Sequence, residues 1–487
     1  MRFALYIAFG FMQIGLFGQT ARLNTKFSTF SLNALGQTGL GDTAIIFPKG
    51  SGNIALKGLN FWVTGIKLGK DTFSIGSDVF SDRSDWVDGP SHTSGSKYIA
   101  NWPGFWQLEK EEIEAHRKNY QNINYSLPNK ISTWPSNINE FGFPKTLAAY
   151  VDDDLNRVYN PSNGDFPFLL GERNVLAVAT DSFQKGGYKS EPIPLDISLQ
   201  YFVLDTNSNR LYSRVTLCNR GLIDFSSVRF SAVLDGQIGN AIDDAMLSDS
   251  ILNMVAIKNG QEEDAVYGRN WPAIGYVLCN RDLGASIYIE KGNSNVFGEA
   301  SKSAEFYHYA NGMWLEGASL TYGGSGLDGT VPSNYVYSGF SDTQNGKQPW
   351  LDNENIGKRT VVASSTNMDI ASGECMVLDV CYFVLPNAPN NDSLRLEAKN
   401  ILEEYNRTDF TLGSSIPPKE SIRISTIFAK AGALISIKEP ALFSPIIYAL
   451  DGRCISIEKN GVIQMPYSKG IYIMVSSKSK TQRLVIE

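Results

Sequence analysis

The stretch DDDLNRVYNPSNGD, Asp152 to Asp165, carries oxygen donors at a spacing that suits a hard cation. Asp152, Asp154 and Asn156 stand at positions 1, 3 and 5, the Val158 carbonyl at 7 and Asn160 at 9, with Asp165 further on to complete an oxygen cage. Ca²⁺ takes about six to eight oxygens at about 2.3–2.6 Å, and a short turning loop of carboxylates can wrap them around one point. These six residues are the candidate metal ligands, calcium is the candidate ion, and its role would be structural. Arg157 brings an opposing charge into the same turn. The competing reading is a solvated acidic turn held by Asx hydrogen bonds.

Other chemistry-bearing residues are sparse. Asp235, Asp243, Asp244 and Asp249 form a second acidic run, without fixed ligand spacing, and read as a polar loop rather than a binding edge or a second cation site. The histidines are His92, His116 and His308, and none falls in a zinc-binding pair. His116 lies on the apolar face of an expected helix, where packing is the expected role. No G-x-S-x-G elbow or P-loop occurs, and YGGSGLDG does not join a strand to a helix. Paired acids for glycoside hydrolysis remain open, because such pairs come from distant positions. Trp102 and Trp106 in NWPGFWQ could stack on sugar rings, although large aromatics more commonly fill a core.

The elements that must position these groups are mostly strands. SLQYFVLDT, RLYSRVTLCNRG and SSVRFSAVLDG alternate apolar and polar residues and are separated by short polar turns. Leu211, Ser213, Val215 and Leu217 share one face, and Val228, Phe230, Ala232 and Leu234 repeat the pattern. SIYIEK, TVVASS and CMVLDVCYFVL add further strands, so a β-sandwich with a few short helices is expected. Two helices are expected, in EKEEIEAHRKNY and in SLRLEAKNILEEYN. In the latter, Leu394, Ala398, Ile401, Leu402 and Tyr405 make an apolar stripe, with Asp392 or Ser393 as the cap.

The five cysteines, Cys218, Cys279, Cys375, Cys381 and Cys454, give an odd count. Cys375 and Cys381 on one strand would lie about 20 Å apart, too far to bridge. Five buried small hydrophobes are therefore expected, with neither a disulfide framework nor a zinc site.

At 487 residues, with 43% hydrophobic and 19% charged residues, the chain is a folded protein of more than one domain. A net charge of −7 gives no basic excess to recruit nucleic acid. Residues 420–487 nevertheless carry nine Lys/Arg against five Asp/Glu. Arg2 followed by the apolar FALYIAFGFMQIGLFG reads as a signal peptide over residues 1–18, with Gln19 as the mature N-terminus. TLGSSIPPKES, residues 411–421, reads as a linker, because Pro417-Pro418 stops helix and inner strand alike. It separates a β-rich region over residues 19–410 from a small all-β unit over residues 422–487. In that unit Asp451-Gly452 marks one hairpin, and a second closes the chain from Lys469 to Glu487.

Residues 422–487 resemble the C-terminal type A sorting domains of Bacteroidetes type IX secretion cargo, an immunoglobulin-like β-sandwich. The resemblance rests on Asp451-Gly452-Arg453, Gly470-Ile471-Tyr472 and Arg483-Leu484-Val485-Ile486; the family's Tyr-Pro-Asn-Pro opening is replaced by IFAKAGALISI. Residues 40–385 resemble a family found attached to such sorting domains, through FPKGSGNIALKGLNFWVTGIKLG, WQLEKEEIEAHRKNY, YVDDDLNRVYNPSNGDFP, YGRNWPAIGY and GASLTYGGSGLDG in that order. In that family the stretch from Asp152 resembles D-x-N-x-D-G-x-Y-x-P, with Asn156 here in place of the third acid and Arg157 in place of the glycine. The resemblance implies export to the cell surface or medium, with a type IX translocon and an outer-membrane shuttle as partners. The family is largely without assigned biochemistry, so the resemblance gives an address and not an activity. With so few catalytic groups in the sequence, the expected role is non-enzymatic: adhesive, structural or accessory to a surface assembly such as gliding or adhesion machinery. A glycan-binding protein or glycoside hydrolase is the alternative.

Overall fold

The computed structural model describes residues 20–408 apart from 40, 68, 70, 79–80, 82, 92–101, 137–146, 157, 182–191, 293–295, 340, 342–347 and 353–355, together with the strands of the C-terminal unit. The expected signal peptide and the expected linker lie outside the described residues. The chain divides into two compact units, Met1–Gly413 and Ser414–Glu487.

The large unit is mainly β and is built from two antiparallel nine-stranded sheets. In the first, the long strand Ile54–Lys67 pairs with Phe225–Gly236, which pairs with Thr360–Ser365 and so leads to Leu283–Ile289. In the second, Cys375–Leu385 lies between Ala273–Leu278 and Arg210–Asn219, and the latter continues through Leu195–Val203 to Arg173–Thr180. The three consecutive strands expected from sequence therefore split. Leu195–Val203 and Arg210–Asn219 are neighbours in one sheet, while Phe225–Gly236 belongs to the other. The turn at Asn219–Ser226 is thus a crossing between sheets, not a hairpin.

The main core lies between the sheets. Leu199, Leu211, Val215, Leu217, Leu378 and Val380 of one meet Phe61, Val63, Phe230, Ala232 and Val362 of the other. The outer face of the second sheet is buried as well, which is why Arg173–Thr180 and Cys375–Leu385 read as near-continuous apolar runs. Four helices are described: α1 (Lys110–Asn119), α2 (Asn129–Ser132), α3 (Ser303–Ala310) and α4 (Asn391–Arg407). α4 covers part of that outer face by setting Leu394, Ala398 and Ile401 against Phe202, Tyr212, Cys381 and Phe383. Its cap is Asn390, whose side chain accepts from the Ser393 N–H at 2.8 Å, so the expected caps Asp392 and Ser393 lie inside the helix boundary. α1 and α2 cover another part of the same sheet. There Trp106, Ile113, Ile131, Trp134, Tyr159 and Phe166 pack on Leu176 and Val178.

One cysteine expectation is corrected. Cys218 and Cys375 are bonded to each other. They are register partners on adjacent strands, with Cα atoms 4.0 Å apart. Cys279 and Cys381 are free, and burial pushes both thiols up, as expected for inert buried groups.

In the C-terminal unit the backbone forms a five-stranded and a two-stranded sheet. Gly470–Val475 and Thr481–Ile486 make an antiparallel hairpin, and Ile446–Ala449 and Cys454–Ile457 make another. The last strand, Thr481–Ile486, also pairs in parallel with Thr426–Ala429, so the chain ends inside its sheet and not at an edge.

Candidate metal site

The acidic loop is closed at its neck by backbone pairing. Tyr150 and Val151 pair with Pro167 and Phe166, so Asp152 and Asp165 follow a matched pair and must face each other. Phe166 anchors this neck in the core beneath α1. α1 begins with the Glu112 carboxylate accepting from the Glu109 N–H at 2.8 Å and ends with Arg117 and Lys118, the polarity that the helix dipole favours. Its buried face presents Ile113 and His116.

His116 ties helix to loop. Its Nε2 lies 3.1 Å from the Asp165 carbonyl, which can only accept, so this nitrogen carries the proton. Nδ1 then accepts from the Tyr125 hydroxyl at 3.2 Å. Burial holds the His116 pKa below its ordinary value. The histidine is packed and fully partnered, as its helical position suggested.

The Asp165 side chain is fully buried and shapes the loop. Its Oδ1 accepts from the Asp153 N–H at 2.9 Å and its Oδ2 from the Asn160 N–H at 2.7 Å. Burial nevertheless raises its pKa; those two amides oppose the rise, and Asp152 and Asp154 add to it. One oxygen from each of Asp152, Asp154 and Asp165 lies within 4.8 Å of the others. That separation fits oxygens around one Ca²⁺ ion, where two ligands at about 2.4 Å can be at most about 5 Å apart.

Two of the other expected ligands, Asn156 and Asn160, use their side chains within the turn itself. Asn156 donates its N–H to Asp152 and Asp154, and its Oδ1 accepts from the Val158 N–H at 2.7 Å. Asn160 Oδ1 accepts from the Ser162 N–H and caps a short 3₁₀ turn. The structure thus gathers Asp152, Asp154 and Asp165, while Asn156, Val158 and Asn160 hold the backbone that carries them. Arg157 lies outside the described residues. Leu155 adopts a φ of 59°, the left-handed region that a glycine usually fills in a tight turn.

The second acidic run is corrected. Asp235, Asp244 and Asp249 are buried, not solvated. Asp235 accepts from the Thr360 hydroxyl, Asp244 from the Ile238 N–H, and Asp249 from the N–H groups of Ile251 and Leu252. Each fixes a local turn or strand end. Trp106 is buried, with its indole N–H donating to Thr133, and Trp102 packs edge-on against it. Core packing holds for Trp106, and Trp102 is its half-buried neighbour. His308 has Nδ1 2.9 Å from the Leu315 carbonyl, and His92 lies outside the described residues. The tie between His116 and Asp165 was not legible from sequence, because 49 residues separate the partners.

No family model and no curated protein matches the chain. Among solved structures, it overlaps a polysaccharide lyase at a TM-score of 0.23 and 10% identity, over 70% of this chain and 39% of that one. It overlaps a GH36 α-galactosidase from Geobacillus stearothermophilus, in complex with stachyose, at a TM-score of 0.25 and 9% identity, over 76% of this chain and 41% of that one. The chain therefore spans about two fifths of the length of each. Overlaps of this size transfer neither fold nor activity.

Proposed function

We propose that the chain is an exported, non-enzymatic protein of the cell surface or medium. Its large β-unit would serve adhesion or a surface assembly such as gliding or adhesion machinery. Its C-terminal unit would be the address read by a type IX translocon and outer-membrane shuttle. The observation that carries export is the Cys218–Cys375 bond, since structural disulfides form and persist in oxidising compartments outside the cytoplasm. The non-enzymatic part is supported by how the buried acids are used. Asp379 pairs with Arg214, Asp352 with Arg359 and Asp196 with Arg220, each an ion pair between partners that brace the fold. The address is supported by the motif resemblance and by the basic balance of residues 420–487 against an acidic remainder. Within this reading Asp152, Asp154 and Asp165 hold a structural Ca²⁺ that stiffens an exposed loop.

Mass analysis of protein recovered from the cell surface or medium tests the export step. A chain beginning at Gln19, with Cys218 and Cys375 alkylated only after reduction, is the expected result. Met1 retained on that material, or both thiols free, would contradict it.

A further inference from the structure

We infer that the open pocket between the second half of α1 and the acidic loop binds an acidic saccharide, with Tyr120 as an aromatic wall and Arg117 and Lys118 receiving the sugar carboxylate. The pocket has a volume of about 580 Å³ and is lined by Glu114, Arg117, Lys118, Tyr120, Asp153 and Gly164. That is within the range of small-ligand clefts, about 300–1,000 Å³. It goes beyond the export reading, and its failure would leave that reading to be tested by where the protein is found.

The charged groups here are prepared but unused. Elsewhere on this lobe surface charges pair, as Lys110 does with Glu172 and Arg173 with Glu109. Among the described residues, Glu114, Arg117, Lys118 and Asp153 make no such side-chain pair. Arg117 is held in place all the same, its guanidinium stacked 4.9 Å above the Phe166 ring. Stacking leaves the N–H fork free for a planar carboxylate. Gly164 has a φ of 112°, and a Cβ there would stand 2.9 Å from the Tyr120 ring and 3.2 Å from Asp153 Oδ2. The glycine is what lets ring and carboxylate share one wall.

The mixture of groups selects the ligand class. A hydrophobic ligand would find four charged side chains in place of an apolar floor. A phosphate chain would satisfy Arg117 and Lys118 but offers Glu114 and Asp153 no hydroxyl donors. A saccharide bearing a carboxylate uses every group present: its hydroxyls donate to Glu114 and Asp153, its carboxylate accepts from Arg117 and Lys118, and its C–H face packs on Tyr120.

Calorimetric titration of the full exported chain with a galacturonate trisaccharide, and with a neutral trisaccharide of the same length, tests the site. The acidic sugar should bind and the neutral one should not. Arg117→Gln and Lys118→Gln should each weaken binding by about tenfold, the loss of one charge-assisted hydrogen bond. Lys118 is exposed, so its variant should keep the wild-type thermal midpoint and separates a binding loss from a folding one. No binding of the acidic sugar at millimolar concentration, equal binding of the neutral one, or affinity unchanged in both variants would overturn the inference.

Discussion

Asp244 shows how one buried acid contributes to the pH response of this fold. It is enclosed at the end of a strand and accepts from the Ile238 N–H. Burial raises its pKa well above the ordinary carboxylate value, with Asp243 and Asp264 adding to the rise. The folded state therefore holds a proton that the unfolded chain releases near pH 3.8. The stability linked to that proton is fully present below the unfolded pKa and is lost as pH rises through the folded one. Asp244→Asn, which keeps an acceptor and removes the charge, should gain stability over wild type at pH 7 and little at pH 4, read from urea midpoints. A gain independent of pH would mean that the acid does not titrate in this way. At the acidic loop, calcium should raise the thermal midpoint, because an ion that binds the folded loop stabilises it by about 2.7 kcal/mol at a hundredfold excess over Kd. Asp154→Ala should abolish the calcium effect, and midpoints equal with calcium and with chelator would reduce the loop to an acidic turn. Of this site, the spacing of the acids was legible because its neighbours in sequence are its neighbours in space. The anchoring by His116 was not, since it depends on how α1 lies across the sheet.

At the scale of elements, α4 is bound to the second sheet by charge as well as by its apolar stripe. Arg214 and Asp379 face each other on adjacent strands, joined by bonds of 2.8 Å, and the Tyr405 hydroxyl of α4 donates to Asp379 at 2.6 Å. Arg210 reaches Glu397 and Glu404 of the same helix. Removing one member of a buried pair strands the other, at a cost of about 3–5 kcal/mol, whereas replacing both with apolar groups is close to neutral. Asp379→Ala should therefore lower stability by about 3–5 kcal/mol, and Arg214→Met in the same chain should recover most of it. Additive losses in the double variant would show that the pair is not coupled. The helix itself was legible, since Leu394, Ala398 and Ile401 recur at helical spacing and are the residues buried. Its cap was misplaced because several polar residues precede the stripe, and only backbone geometry picks Asn390 among them. The disulfide was missed for a different reason. Cys218 and Cys375 are 157 residues apart, and nothing local tells which strand lies beside which.

At the scale of the whole molecule, two units carry different tasks in the proposed account. The alternating strands made a β-rich large unit legible, and the partition of those strands between two sheets was not, because turn length does not tell a hairpin from a crossing. The C-terminal unit ends on a strand that sits between Thr426–Ala429 and Gly470–Val475, so its five-stranded sheet is incomplete until the last residues are in place. Deleting Gly470 to Glu487 removes that strand and its hairpin partner and leaves broken sheet edges in this unit. The large unit has its own core within Met1–Gly413 and should still fold. Fractionation of cells expressing the full chain or this truncation tests the export reading. The full chain should be found at the surface or in the medium, and the truncation should be retained in the periplasm, folded and disulfide-bonded. A truncation that reaches the surface or medium as efficiently as the full chain would contradict that reading.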